Sequence, residues 1–305
     1  MVGYVAAAAA LKFFSLNRLT RKLYRSWGNV VGARIRLEQG LPDVYVGRAR
    51  NLISQIRKHD AVKPGDHLLE IGTGWLHWEA TVLRLLYDVR VSMCDIWDNR
   101  QFPAFHLYFS EFAKVFAGEI PMSASERNRA AALLARLIEA KSFDEVYAIL
   151  GNDYVLDPTG VLRGLPDSHY SVLFSSSVLE HIKRESIPEF LQGCYRVLKP
   201  GGYAIHLIDL GDHLTIYDRT MPYNKNYLRY SEKTWKMLFE NEVQYFNRVQ
   251  RSTWLEQFAA VGFELVEERP EQIALNGQPI ARSYQHFEPH DLQCLTLHVI
   301  HKKPQ

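Results

Sequence analysis

The stretch His67-Leu68-Leu69-Glu70-Ile71-Gly72-Thr73-Gly74-Trp75 decides the fold. His67 to Ile71 reads as a short buried strand, Gly72-Thr73-Gly74 as a turn, and Leu76 to Tyr87 as a helix. A glycine turn between a strand and a helix is where α/β sheets receive nucleotides, because glycine lets the backbone approach a ligand closely. Upstream, Lys63-Pro64-Gly65-Asp66 is the turn that launches the strand: Pro presets φ at one corner and Gly accepts the positive φ of the next.

The alternation continues outward from this unit. Val89 to Cys94 predicts a second strand, ending at Asp95, and Tyr154-Val155-Leu156 and Tyr170 to Ser175 predict two more. Ser186 to Leu198 predicts a helix: Ser186 and Glu189 have capping-box spacing, and Ile187, Phe190, Leu191, Cys194, Val197 and Leu198 form one apolar stripe. Lys199-Pro200-Gly201-Gly202 repeats the turn logic before the strand Tyr203 to Ile208. Phe263 to Glu267 and Leu292 to Ile300 supply the last strands, with a helix near Trp254 before them. Strands alternating with helices imply an α/β fold, doubly wound, with a mostly parallel seven-stranded sheet covered on both faces.

Two excursions are longer than ordinary connections. Residues 96–152 read as a helical insertion, strongest over Ala130 to Ala140, and residues 209–250 as a helical cap over a substrate. The domain division expected is therefore an N-terminal helical extension, 1–58, and one α/β domain, 59–305, that carries both excursions.

The chain has 305 residues, 47% of them hydrophobic and 23% charged, a balance that excludes disorder, collagen and coiled coil as readings of the whole. Cys94, Cys194 and Cys294 form an odd, widely spaced set without a CxxC pair, which fits a reducing, cytoplasmic compartment rather than a disulfide scaffold. Residues 1–40 hold seven basic residues and only Glu38 as an acid, a charge of +6, so the remainder carries −4 against the net +2. A polyanion-binding enzyme would show its basic surface in the main domain, so nucleic acid is not the expected partner.

The first residues, Val2 to Ala10, are an apolar run too short to span a bilayer, which needs ~20 residues. Phe13 to Trp27 then places Leu16, Leu19, Leu23 and Trp27 at helical spacing among Arg18, Arg21, Lys22 and Arg25. Two readings fit: a helix packed on the main domain with a solvated basic side, or a surface-seeking helix that docks residues 12–27 on anionic lipid or a membrane-bound partner.

Local charge separates the ligands that compete for the glycine turn. A P-loop requires a GK[S/T] ending, and Trp75-Leu76 supplies none; a dinucleotide fingerprint wants glycine where His77 stands. Glu70, two residues before the first glycine, would face a pyrophosphate at close range, and like charges there cost several kcal/mol at an effective dielectric of about 20. The same carboxylate suits a cofactor that carries an ammonium and a sulfonium, namely S-adenosyl-L-methionine.

With that, the sequence resembles the class I S-adenosyl-L-methionine-dependent methyltransferases. The resemblance rests on EIGTG (70–74), Asp95 after the second strand, SVLFSSSVLEHI (171–182) and RVLKPGGY (196–203), and covers about residues 60–208 with the last strands more loosely. It implies a Rossmann-like sheet and a cofactor site in which Glu70, Gly72, Thr73 and Gly74 take the methionine moiety, Asp95 the ribose hydroxyls, and Ser175 and Ser176 lie alongside. The family often places an acid near the adenine before Leu165-Pro166. Here Val161-Leu162 stands there, so the adenine contact falls to the Leu162 backbone. Trp75 replaces the usual third glycine, and Ser171 stands where many members carry Asp.

Methyl transfer from a sulfonium is an in-line displacement in which positioning supplies most of the rate. Methylases acting on nucleobase or amide nitrogens carry a proline-rich tetrapeptide with a terminal aromatic where this chain has Ser175-Ser176-Ser177-Val178, so a hydroxyl of a sugar, glycan or other small molecule is the expected acceptor. An oxygen acceptor must lose a proton, and His213, oriented by Asp209 or Asp212, is the candidate general base. His181 is a second candidate, as base or substrate contact, against the plainer reading of a hydrogen-bonded helix-start histidine. Asp209, Asp212 and His213 also admit a magnesium site or a solvated acidic turn. No metal is expected: His298 and His301 point to opposite faces of a strand, and Pro289 breaks the helix that would pair His286 with His290.

The 209–250 excursion carries eight aromatics with six basic and six acidic residues. That composition fits a cap over a hydroxylated small molecule, or a lid that packs its aromatics into its own core. Two alternatives stand beside the expected function: an RNA methyltransferase, and a non-catalytic regulatory protein that binds S-adenosyl-L-methionine.

Overall fold

The computed structural model describes residues 2–218 and 220–305. In chain order its elements are α1 (Val2–Phe14), α2 (Arg18–Gln39), α3 (Asp43–Lys58), β1 (His67–Ile71), α4 (Trp78–Leu86), β2 (Arg90–Asp95), α5 (Phe102–Glu119), α6 (Ala124–Glu139) and α7 (Phe143–Leu150). There follow β3 (Asp153–Leu156), β4 (Tyr170–Ser176), α8 (Ile187–Val197), β5 (Leu198–Asp209), α9 (Glu232–Leu238), α10 (Arg251–Val261), β6 (Glu264–Gln272), α11 (Pro289–Gln293) and β7 (Cys294–Lys302). The strands form a seven-stranded sheet in the order β3-β2-β1-β4-β5-β7-β6.

β1 pairs in parallel with β2 on one side and β4 on the other, with Glu70 beside Met93 and Phe174. The chain thus moves outward from β1 to β3 and returns across β1 to β4, which makes the carboxyl ends of β1 and β4 the topological switch point. β7 runs against β5: Gly201 N donates to Lys303 O, and Leu210 N donates to Leu295 O. The sheet is therefore mostly parallel and mixed.

The chain forms two compact units: Val30–Ser176 with Phe190–Ile205 and His301–Gln305, and Met1–Asn29 with Ser177–Glu189 and His206–Ile300. In the first, Trp78 at the start of α4 packs against Phe109 and Phe112 of α5, with ring centroids 4.7 and 5.0 Å away. Such pairs add ~0.5–1.5 kcal/mol each beyond the area they bury. In the second, Tyr4, Ala8 and Leu11 of α1 enter a core built mainly by Tyr227, Trp235, Phe239 and Phe246.

Several boundaries differ from the sequence reading, each for a local reason. α4 begins at Trp78 rather than Leu76, because His77 takes a left-handed conformation with φ 48° and its ring is tied into the glycine turn. The helix expected from Phe13 to Trp27 breaks at Ser15–Asn17, where the Asn17 side chain accepts the amides of Leu19 and Thr20 and restarts the helix as α2. α8 begins at Ile187, since Arg184–Ser186 forms a separate 3₁₀ turn; its apolar stripe is buried as the spacing implied. The turn at Lys199–Gly202 lies inside β5, drawn into the sheet by its pairing with Lys303.

The 209–250 segment is not a helical cap. It holds one short helix, α9, and 3₁₀ turns at His213–Tyr217 and Asn226–Arg229. Burying four large rings in one cluster takes precedence over helical regularity there. Residues 96–152 do hold the three helices α5, α6 and α7. Among the described residues no helix is long and apolar enough to cross a membrane.

Candidate active site

The first unit gathers most of the expected cofactor residues at the carboxyl ends of β1, β2 and β4. Gly72 and Gly74 have φ of 67° and 65°, a conformation that costs a side chain. Gly72 N and Thr73 N donate to Cys94 O at 2.8 and 3.3 Å, which lays the turn against the end of β2. Asp95 completes that contact: one carboxylate oxygen accepts Gly74 N at 2.9 Å and the other accepts Ile96 N at 2.7 Å. A Cβ on Gly74 would meet only Gly72 O, at 3.9 Å, so space lies open above the turn.

Glu70 sits beneath this turn, 3% exposed. Burial, with the nearby Glu79 carboxylate, pushes its carboxyl up to about 8, against the opposing pull of the Thr73 hydroxyl, Arg48 and the Ala80 amide. The sequence reading placed a bare anion against the ligand. The structure instead buries the carboxyl, and burial favours its neutral form.

Thr73 is the hub of a buried chain of hydrogen bonds. Its Oγ lies 2.5 Å from Glu70 and 2.8 Å from His77 Nδ1, and His77 Nε2 lies 2.9 Å from the Tyr147 hydroxyl. Burial holds His77 down to about 3, so the ring is neutral and relays donors in one direction: Tyr147 to His77, His77 to Thr73, Thr73 to Glu70. The sequence reading took His77 only as a failed glycine. Trp75, the other bulky departure, lies under the Arg36 guanidinium, 3.7 Å from ring centroid to Cζ.

Ser175 and Ser176 end β4, just past the Phe174 that pairs with Glu70. Ser176 Oγ is buried without a hydrogen-bond partner among the described residues, the condition expected of a hydroxyl whose partner is a ligand. Open space above Gly74, a carboxylate at Asp95 and this orphaned hydroxyl together fit an adenosyl cofactor with a cationic tail.

Leu162 does not take its expected role. Its N–H donates to Asp157 Oδ2 at 2.7 Å, and its carbonyl accepts from Arg196 and Leu165 at 2.6 and 3.1 Å, so its backbone is committed within the protein. Asp157 is the residue that holds this loop. Its amide bonds Asp95 O at 2.8 Å, and its carboxylate folds the 157–162 loop.

The second unit assembles the candidate catalytic groups. Asp209 ends β5 and its Oδ2 lies 3.4 Å from His213 Nε2. Phe246 stacks on the His213 ring at 4.8 Å, and the His181 ring stands 5.0 Å away. Burial alone would raise Asp209, but the His213 ring and the Gly211 amide hold it below the usual carboxylate range. His181 Nδ1 lies 2.7 Å from Tyr245 O, and the protein atoms crowded around the ring, with the neighbouring His213, push its pKa down although the residue keeps an exposed edge.

Asp212 is drawn elsewhere. Its carboxylate accepts the Tyr4 hydroxyl at 2.8 Å and Leu214 N at 3.0 Å, and burial raises it to about 6. Asp209, Asp212 and His213 therefore do not converge as a magnesium site. Among the described residues, those that do converge are Glu180, His181 and His213, whose ligand atoms all lie within 4.8 Å of one another. Two imidazoles and a carboxylate are a donor set able to hold a zinc-like ion. Spacing could not reveal this trio, because α8 and β5 separate His213 from Glu180 and His181 along the chain.

Residues 45–268 match the model of a family described as a methyltransferase domain. No curated protein matches the chain. Among solved structures, phosphoethanolamine N-methyltransferase 2 of Haemonchus contortus, in complex with S-adenosyl-L-methionine, is 16% identical with a TM-score of 0.43, over 80% of this chain and 50% of that one. A SAM-dependent methyltransferase from Methanosarcina mazei is 16% identical with a TM-score of 0.44, over 81% of this chain and 96% of that one. The chain thus spans half the length of the Haemonchus contortus protein.

Proposed function

Because the chain belongs to the methyltransferase domain family, we propose that it transfers a methyl group from S-adenosyl-L-methionine to a hydroxyl of a sugar, glycan or other small molecule, with His213 as the general base. The cofactor supplies an electrophilic methyl on a sulfonium. Gly72, Gly74 and Asp95 would hold it, and the Glu70 carboxyl beneath the turn would face its positive charge.

The observation that carries the hydroxyl reading is the Asp209–His213 pair. A hydroxyl attacks only as its proton leaves, whereas a neutral amine attacks with a lone pair already available, so a carboxylate-oriented histidine serves an oxygen acceptor best. Asp209 faces Nε2 and leaves Nδ1 to receive the proton, while the stacked Phe246 fixes the ring plane. The even charge of the 209–250 segment supports a neutral acceptor over RNA.

The test is the mass gained by purified acceptors incubated with the enzyme and isotopically labelled S-adenosyl-L-methionine. Labelled methyl ethers on sugars or small polyols support the reading. Methylation confined to amines or RNA would overturn it, and binding of the cofactor without turnover on any class would favour a regulatory protein.

A further inference from the structure

We propose that α2 docks the protein on an anionic lipid surface. The helix runs for 22 residues and not one of them is buried. Leu19, Leu23, Val30 and Leu37 recur every three or four residues or multiples of that spacing and, with Trp27, fall within an arc of about 80° at 100° per residue. Leu19, Trp27 and Val30 are 67, 62 and 71% exposed, so the stripe faces solvent along most of the helix. Isolated apolar side chains are common on surfaces, but a stripe of this length with a tryptophan is the pattern of an interfacial helix.

The far side of α2 sets this orientation. Arg21 approaches Glu242 at 3.8 Å, and the Tyr24 hydroxyl accepts from Gln244 Nε2 at 3.1 Å. Those contacts direct Leu19, Leu23 and Trp27 outward. Exposed Arg18, Lys22 and Arg25 line one flank of the stripe.

Charge chooses the occupant. α2 carries Arg18, Arg21, Lys22, Arg25, Arg34 and Arg36 against Glu38 alone. A second copy laid along the same stripe would bring two strongly positive helices together. Its heptad seam would also be interrupted by Ser26 and Ala33. An anionic bilayer meets both needs at once, with acyl chains for the leucines and phosphate or carboxylate headgroups for the basic flank.

The experiment is co-sedimentation of the full chain with phosphatidylcholine vesicles prepared with and without phosphatidylserine. Binding about a hundredfold tighter to the anionic vesicles is expected, weakening as salt rises. Leu23→Glu combined with Trp27→Glu should abolish it, and joint charge reversal (Arg18→Glu, Lys22→Glu, Arg25→Glu) should erase the lipid preference. All five side chains are exposed, so helicity and melting temperature should stay at wild-type values, and the salt titration needs no variant. Equal affinity for both vesicles, or none for either, overturns the proposal. So does a dimer in solution that Trp27→Glu dissociates, since the stripe would then belong to a second copy.

Discussion

The Thr73 hydroxyl bonds the Glu70 carboxylate, tying the middle residue of the glycine turn to the strand residue beneath it. The turn is held in shape from below, by a carboxyl that burial pushes up to about 8. Glu70→Gln keeps the hydrogen bond and removes the charge. It should weaken S-adenosyl-L-methionine ~10–100-fold, the worth of one charge-assisted contact of 1.5–3 kcal/mol. Titration calorimetry reads this directly, and unchanged affinity would remove Glu70 from cofactor binding.

The same carboxyl makes stability depend on pH. Its folded pKa is raised from 4.5 to about 8. A group raised in this way gives its full stabilisation below the unfolded value and loses it as pH climbs through the folded one. The melting temperature of the ligand-free protein should therefore fall as pH rises from 4.5 to about 8, and Glu70→Gln should flatten that slope. Affinity for S-adenosyl-L-methionine should rise over the same window. A wild-type slope of the opposite sign would show that the carboxyl is ionised throughout.

His77 acts at the acid end. Its pKa is lowered from 6.5 to about 3 by burial, so its contribution is present above 6.5 and lost as pH falls toward 3. His77→Ala leaves the Thr73 and Tyr147 hydroxyls without their shared partner, at a cost of ~1–3 kcal/mol for buried polar groups. Urea titrations at neutral and mildly acidic pH should show a less stable variant whose stability no longer falls with acid. If the variant matched wild type at neutral pH, the network would be ornamental.

The places of the glycine turn, Asp95 and the serine block at strand ends were legible because each is local to its own strand and turn. His77 was not legible, since Tyr147, which explains it, is 70 residues away. Asp209 and Asp212 looked equivalent in sequence, three positions apart beside one histidine. Only Tyr4, 208 residues from Asp212, separates them by taking the second carboxylate into the core. That the Leu162 amide is already taken was not legible either, since nothing in the sequence marks Asp157, five residues upstream, as its acceptor. The apolar spacing of Leu19, Leu23 and Trp27 was legible as periodicity, whereas its continuation to Val30 and Leu37 was not read, and its exposure depends on what the rest of the chain leaves uncovered.

Two glycines should respond oppositely to alanine. A Cβ on Gly193 of α8 would stand 2.4 Å from Val161 O, so Gly193→Ala must displace backbone beside Leu162 and should cost ~1–3 kcal/mol of stability. Gly74→Ala has room but a strained φ, costing roughly 1–2 kcal/mol, and its methyl projects into the space left for the cofactor. Thermal melts with and without S-adenosyl-L-methionine should show a low baseline with a retained ligand shift for Gly193→Ala, and a milder baseline loss without the shift for Gly74→Ala. A full ligand shift in Gly74→Ala would place the cofactor elsewhere.

Turnover should separate the base from the groups that only look like it. His213→Ala should lower kcat ~10²–10⁴-fold, the usual worth of a positioned base, with cofactor affinity unchanged. Asp209→Asn keeps the shape but weakens the hold on the His213 ring, so a smaller loss is expected. Groups that act as one unit are not additive, and the double variant should be about as slow as His213→Ala alone. Asp212→Asn should instead lower the melting temperature through Tyr4 and leave kcat near wild type. Single-turnover rates with a hydroxyl acceptor, measured beside cofactor affinity, distinguish these outcomes. Wild-type kcat in His213→Ala would transfer the proton to another group, and His181, whose ring stands 5.0 Å from that of His213, would be the next to replace.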